Sequence, residues 1–209
     1  MKIMQSKSKW VKSESMLEEN IKSNSAKYGI PLKPRIDVVL KQIHLQTFKI
    51  DTILNDLKSK DREIFRKIVS STDVHHAQYS AVLLSDLAQI RKVSKILSIS
   101  KILFEELENN LSTVSDFVDL VTILSPALAV VKNLRSSLIR CMPETEDEIG
   151  LVSELLAGIL VDAGLVGNYT INFKTANEEA VRMINEASLT AEQKIKEQLP
   201  DLPSLPSVL

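Results

Sequence analysis

Three Leu-Pro pairs stand at the end of this chain: Leu199-Pro200, Leu202-Pro203 and Leu205-Pro206, with Asp201 and Ser204 as spacers. Their types and spacing point to recognition rather than reaction. Each proline fixes its own φ and pushes the residue before it toward extended geometry. The segment 199–209 is therefore predicted to be polyproline II, with three residues per turn. At that period Leu199, Leu202 and Leu205 fall along one edge. A preordered apolar edge loses little entropy on docking, which is the physics of a linear peptide ligand.

Residues suited to covalent or metal chemistry are sparse. The five glycines, Gly29, Gly150, Gly158, Gly164 and Gly167, form no P-loop, dinucleotide fingerprint or nucleophile elbow. His44, His75 and His76 are the only histidines. The adjacent pair sits at a predicted turn where neighbouring side chains point apart, and no Glu-x-x-His motif accompanies it. The single Cys141 excludes an intramolecular disulfide and reads as an inert buried thiol in a reducing compartment. No carboxylate pair lies in a recognisable pocket context. The chain is thus expected to have no enzymatic activity, no cofactor and no metal site.

The elements that must carry the tail are helical. Aromatics make up only 4% of the residues, and Leu, Ile, Val, Lys and Glu are abundant, which favours helices over a β sandwich. The 209 residues give room for one domain plus extensions. From Pro34 to Ser70, Ile36, Ile43, Ile50, Leu57 and Ile64 recur every seven residues. Leu40, Leu54 and Ile68 take the alternate positions, with Thr47 and Asp61 as the misses. This is a coiled-coil-like seam. Lys41, Lys49, Lys58, Lys60, Arg62, Arg66 and Lys67 occupy its exposed side.

Ser70-Ser71-Thr72-Asp73 supplies a turn and a new N-cap. A second apolar stripe follows through Val93, Leu97, Phe104, Leu107, Leu111, Val114, Val118 and Val121, predicting one helix to about Leu124 or a bend at Asn109-Asn110. Two long helices joined by a tight turn form an antiparallel hairpin. Ser125-Pro126 is expected to start a third helix ending near Cys141. Thr145 and Glu148 make a capping box for a fourth helix, Glu146–Ala163, stopped by Gly164; Thr175 and Glu178 open a fifth, lasting to Gln198. Tyr169–Phe173 alternates like an extended segment. The expected fold is all-α: a long antiparallel helical hairpin with shorter C-terminal helices. The stretch Val114–Val131 approaches transmembrane length, but Asp116, Asp119, Ser125 and Pro126 interrupt it. The N-terminus lacks the apolar region of a signal peptide, so none is expected.

Charge is polarised along the chain. Residues 1–70 carry 15 Lys+Arg against 8 Asp+Glu, whereas residues 144–209 carry 4 against 12. The two halves either clasp each other, or present a basic front to an anionic partner, or remain two solvated faces. Residues 1–33 are Lys- and Ser-rich. Ile3, Met4, Trp10 and Val11 share one helical arc with Lys2, Lys9 and Lys12 off it, although Lys7 falls in its middle. The segment reads as a basic amphipathic membrane anchor or as a disordered leader.

A basic hairpin, short following helices, an acidic region and a Leu-Pro tail, in that order, resemble the ESCRT-III superfamily of membrane-remodelling proteins. The pattern is similar to the archaeal ESCRT-III-like cell-division proteins in their short form without a winged helix, and it covers roughly residues 34–209. The resemblance implies four parts. Residues 1–33 are a basic leader, 34–143 the hairpin plus third helix, 144–198 acidic regulatory helices, and 199–209 an MIT-interacting tail.

In that family a hydrophobic-proline motif docks in the MIT domain of a AAA ATPase. The motif matches here at Leu199, Pro200, Leu202, Pro203, Leu205 and Pro206. The resemblance further implies that the hairpin faces anionic lipid through Lys41, Lys49, Lys58, Arg62 and Arg66, together with the leader. Neighbouring hairpins, its own copies and paralogues, would pack into a filament, and the acidic helices would fold back in a closed state. Such a subunit sits in the cytoplasm, peripheral on the inner face of the cell membrane at the division site, and takes part in constriction and scission.

Two departures stand out. No helical MIT-binding motif with its arginine is placed in 176–198, and no winged helix is present. A subunit that joins a filament begun by a paralogue fits this better than an initial recruiter. The alternative is a soluble coiled-coil adaptor whose tail meets a domain that reads polyproline II. Nucleic acid is not an expected partner, since aromatics are sparse and the pI is about 6.3.

Overall fold

The computed structural model describes residues 32–70, 77–114, 117–167 and 172–200. Five α-helices follow in order: α1 (Leu32–Ser70), α2 (Ala77–Ser112), α3 (Phe117–Cys141), α4 (Glu146–Gly167) and α5 (Phe173–Gln198). A short 3₁₀ turn, Pro143–Thr145, joins α3 to α4. The expected all-α hairpin is present. Helices α1 and α2, of 39 and 36 residues, pair along their length as rods of about 55 Å.

The apolar seam of α1 explains the pairing. Ile36, Val39, Ile43 and Ile50 are buried, with Leu54, Leu57 and Ile64 half-buried and Ile68 buried again. The buried positions drift along the helix: Val39 and Gln46 fill the seam in the first half, whereas Asp61 and Ile68 fill it in the second. A straight helix has 3.6 residues per turn, so a seven-residue stripe rotates slowly around it.

Asp61, a miss in the heptad, is in fact 1% exposed. Arg91 of α2 holds it with a fork, Nε to Oδ2 at 2.7 Å and Nη2 to Oδ1 at 3.3 Å. This pair falls between two apolar clusters. One, at the hairpin tip, contains Ile68, Leu83 and Leu87 and draws only on α1 and α2; the other, at the base, draws on all five helices.

The chain turns at the asparagines, as one of the two expectations had it. Ser112 and Thr113 donate their hydroxyls to the carbonyls of Asn109 and Asn110, at 2.7 and 2.8 Å, and the Thr113 and Val114 amides bond three residues back. These bonds tighten and close the last turn of α2. The expected start at Ser125-Pro126 is corrected, because α3 begins at Phe117 and carries Pro126 inside it. Ser125 instead donates its hydroxyl to the Val121 carbonyl at 2.8 Å. Buried Leu120, Leu124, Ala127 and Leu128 on either side hold the helix together despite a cost of about 3 kcal/mol for an interior proline.

Two capping expectations are also corrected. Thr145 is buried in the 3₁₀ turn and donates to the Met142 carbonyl at 2.8 Å, while the Glu148 carboxylate is drawn away to α1. Helix α5 starts at Phe173 on Asn172, whose Oδ1 accepts from the amides of Lys174 and Thr175 at 3.2 and 3.3 Å. Asn172 does the job assigned to Thr175, because it stands three residues earlier, just before the first helical residue, where its Oδ1 meets the free amides of the first turn. The extended reading of Tyr169–Phe173 fails at Phe173, which is helical; Asn172 before it is the N-cap, with φ −86° and ψ 88°, and residues 169–171 lie outside the described residues, as does the Ser71–Asp73 cap. Helix α4 passes Gly164 and ends at Gly167. Its core packing runs as far as buried Ala163, which carries the helix to the edge of that glycine.

Candidate functional site

Helices α4 and α5, from the acidic C-terminal region, lie on the hairpin, and specific side chains close the contact. Helix α4 runs antiparallel to α1. Near one end Arg35 is paired with Asp162, and near the other Lys49 Nζ meets Glu148 at 2.6 Å. Gln46, itself only 2% exposed, donates a third bond to Glu148 at 2.9 Å. The hydrogen bond from Lys49, then that from Gln46, holds the Glu148 carboxyl below the usual carboxylate range. A Cβ at position 158 would lie 3.0 Å from Arg35 Nη2, so Gly158 leaves the guanidinium room to reach Asp162.

Helix α5 runs antiparallel to α2 and rests on α2 and α3. Its inner face is Ala176, Ala180, Met183, Ala187 and Ala191. Lys95 of α2 is paired with Glu192, whose carboxyl is held down by that hydrogen bond. Near its start α5 is less well matched. Burial, then the charge of Glu186, pushes the Glu106 carboxyl of α2 up, with Arg182 opposing and Glu179 adding to the rise.

The end of α5 reaches both arms of the hairpin. Lys58 Nζ donates to Gln198 Oε1 at 3.0 Å, and Arg91 Nη1 donates to the Pro200 carbonyl at 2.8 Å. Leu199 leaves the helix in extended geometry, φ −123° and ψ 135°, while its amide still bonds the Ile195 carbonyl. It lines a cavity of about 540 Å³ bounded by α1, α2 and the end of α5. A second cavity of about 550 Å³ sits where Pro126 of α3 faces the start of α5.

Of the predicted tail residues, Leu199 is half-buried and Pro200 exposed; Leu202, Pro203, Leu205 and Pro206 lie outside the described residues. So do Ile3, Met4, Trp10, Lys2, Lys9 and Lys12 of the leader. Lys41, Arg62 and Arg66 are exposed on the outer side of α1. Lys49 and Lys58 are not, being turned to the C-terminal half. Sequence reasoning missed Val38, Leu45 and Phe48, which share the outer face with Lys41; Phe48 is 68% exposed. Their signal was present as apolar residues off the heptad seam. Cys141 is half-buried, and burial pushes its thiol pKa up. No helix among the described residues is long and apolar enough to cross a membrane.

The sequence has relatives among known proteins. Over 191 residues the chain is 30% identical to Cell division protein B1 of Sulfolobus acidocaldarius, covering 91% of this chain and 89% of that protein. The chain belongs to the archaeal ESCRT-III-like cell-division proteins. Cell division protein B of the same organism is 23% identical over 187 residues, covering 90% of this chain and 72% of that protein. No protein-family model and no solved structure matches the chain. In this chain the two C-terminal helices α4 and α5 are folded back on the hairpin. Of the three readings of its charge polarity, the clasp is the one built into the structure.

Proposed function

We propose that this chain is a cell-division subunit that polymerises on anionic membrane, takes part in constriction and scission, and is remodelled by a AAA ATPase whose MIT domain grips Leu199–Pro206. Family membership supports the cell-division setting. The observation that carries the rest is the clasp. Lys49 and Lys58, two of the cations expected to meet lipid, are occupied by Glu148 and Gln198. Anionic headgroups offer the same cations a competing surface of negative charge, worth roughly 1 kcal/mol per Lys or Arg. On a membrane the acidic helices lose their hold, and the basic hairpin faces the lipid. Lys41, Arg62 and Arg66 make the first contact because they already point outward, and Val38, Leu45 and Phe48 add apolar surface beside Lys41. Opened hairpins, from this chain and its paralogues, then pack side by side into a filament peripheral to the inner face of the cell membrane.

The test is co-sedimentation and negative-stain microscopy with anionic vesicles, comparing the full chain with one ending at Pro143. The expected result is weak binding by the full chain and strong binding with filaments by the shortened one, both falling as salt rises. Bare vesicles beside small discrete particles in both samples would overturn the polymer reading and leave the soluble adaptor.

A further inference from the structure

The Leu-Pro tail is offered above as a ligand for another protein, yet its first step is already engaged. Arg91 does two things with one guanidinium: Nε and Nη2 hold the buried Asp61 carboxylate, and Nη1 donates to the Pro200 carbonyl. The side chain is 15% exposed, so it is fixed by its partners rather than free to sweep. Leu199, beside it, turns into the groove with Leu54, Ile102 and Ile195. Lys58 steadies the preceding Gln198 from the opposite arm. A backbone carbonyl and an apolar side chain are what an extended peptide can offer a recognition groove.

We propose that the groove between α1, α2 and the end of α5 is an internal docking site for the chain's own Leu199-Pro200 step, gripped by Arg91. The inference rests on the tail being a ligand and adds its regulation. An outside reader of Leu199-Pro200 competes with the hairpin for the same carbonyl and the same leucine. Its affinity is reduced by the fraction of chains whose tail is docked. Asp61 ties that competition to the pairing of the hairpin arms, because the same arginine serves both. Arginine suits both partners: its planar fork offers Nε and Nη2 to the carboxylate and Nη1 to the carbonyl, whereas lysine gathers all its donors on one atom.

The experiment is hydrogen exchange on the full chain, comparing wild type with Arg91→Lys and Leu199→Ser. Arg91→Lys keeps a cation for Asp61; Leu199→Ser leaves the hairpin untouched should the first variant fold poorly. The expected result is faster exchange in the amides of 195–199 in both variants, roughly tenfold in Arg91→Lys, matching the loss of one charge-assisted hydrogen bond, with no change in amides of 97–107. Unchanged exchange at 195–199 in both variants would overturn the internal site. A parallel titration with a purified MIT domain separates the two readings. Tighter binding to Arg91→Lys than to wild type supports competition, and equal binding to both refutes it. Binding to neither, with the tail loosened, sinks the outside partner and leaves the internal site standing.

Discussion

Helix α4 meets the rest of the molecule through Ile149, Val152, Leu156, Ile159, Leu160 and Ala163, whereas α5 meets it through Ala176, Ala180, Met183, Ala187 and Ala191. Both lie on the hairpin, and both are tied to it by a lysine–glutamate pair, although α4 carries five acidic residues and no basic one and α5 five against four. The difference is the amount of apolar surface each withdraws from water. A buried leucine or isoleucine is worth about 1.5–3 kcal/mol relative to exposure, and each methyl or methylene it adds over alanine carries roughly 0.8 kcal/mol. Helix α4 is thus part of the core. Helix α5 is a cover held by close approach and charge, and it is expected to come away first. The same α5 ends in the Leu-Pro tail, so the element that presents the motif is the one least anchored.

The largest expected effect breaks the stronger side. Leu156 is fully buried, and Leu156→Ala should lower global stability by about 2–5 kcal/mol, read as a lower denaturant midpoint for the whole chain. Overpacking the weaker side should act differently. Ala187→Leu has no room at a site 2% exposed and should cost about 1–3 kcal/mol. That cost should appear as fast hydrogen exchange across 173–198, with α1 to α4 still protected. Loss of protection throughout would show that α5 belongs to the same cooperative unit as α4.

The smallest effect is the response to pH, and it has one sign at the two lysine–glutamate pairs and the opposite sign where α2 meets the start of α5. The Glu148 carboxyl is held low, so its contribution is present above the usual carboxylate range and is lost as pH falls through its lowered value. Glu192 follows the same sense. Glu106 is pushed up, so its charge is a cost at neutral pH that is relieved as pH falls through its raised value. Acidification should therefore first tighten α5 at its start and only later loosen the ion pairs. Glu148→Gln should cost about 0.5–1 kcal/mol at neutral pH, discounted for its exposure. Glu106→Gln should gain a few tenths of a kcal/mol. Melting temperatures of both variants followed from neutral to about pH 4 check the signs. A gain for Glu148→Gln at neutral pH would remove the clasp as a stabilising contact.

The sequence by itself determined the helices and the hairpin. The period of Ile36, Ile43 and Ile50 can be satisfied only by burying one face of α1, and α2 carries a matching stripe. Charge polarity alone named the clasp as one of three outcomes, and the spacing of the prolines marked the tail. Tertiary structure decided the rest, because side chains with more than one local use are claimed by whichever neighbour arrives. Glu148 is in register to cap its own helix, yet Lys49 and Gln46 take its carboxylate. Pro126 is a helix breaker by chemistry, yet the buried residues around it keep α3 whole. Asp61 reads as a defect in the seam, and only the approach of Arg91 from another helix makes a buried carboxylate affordable there. Periodicity is a property of one helix. Pairing is a property of two, and no residue on the first announces its partner on the second.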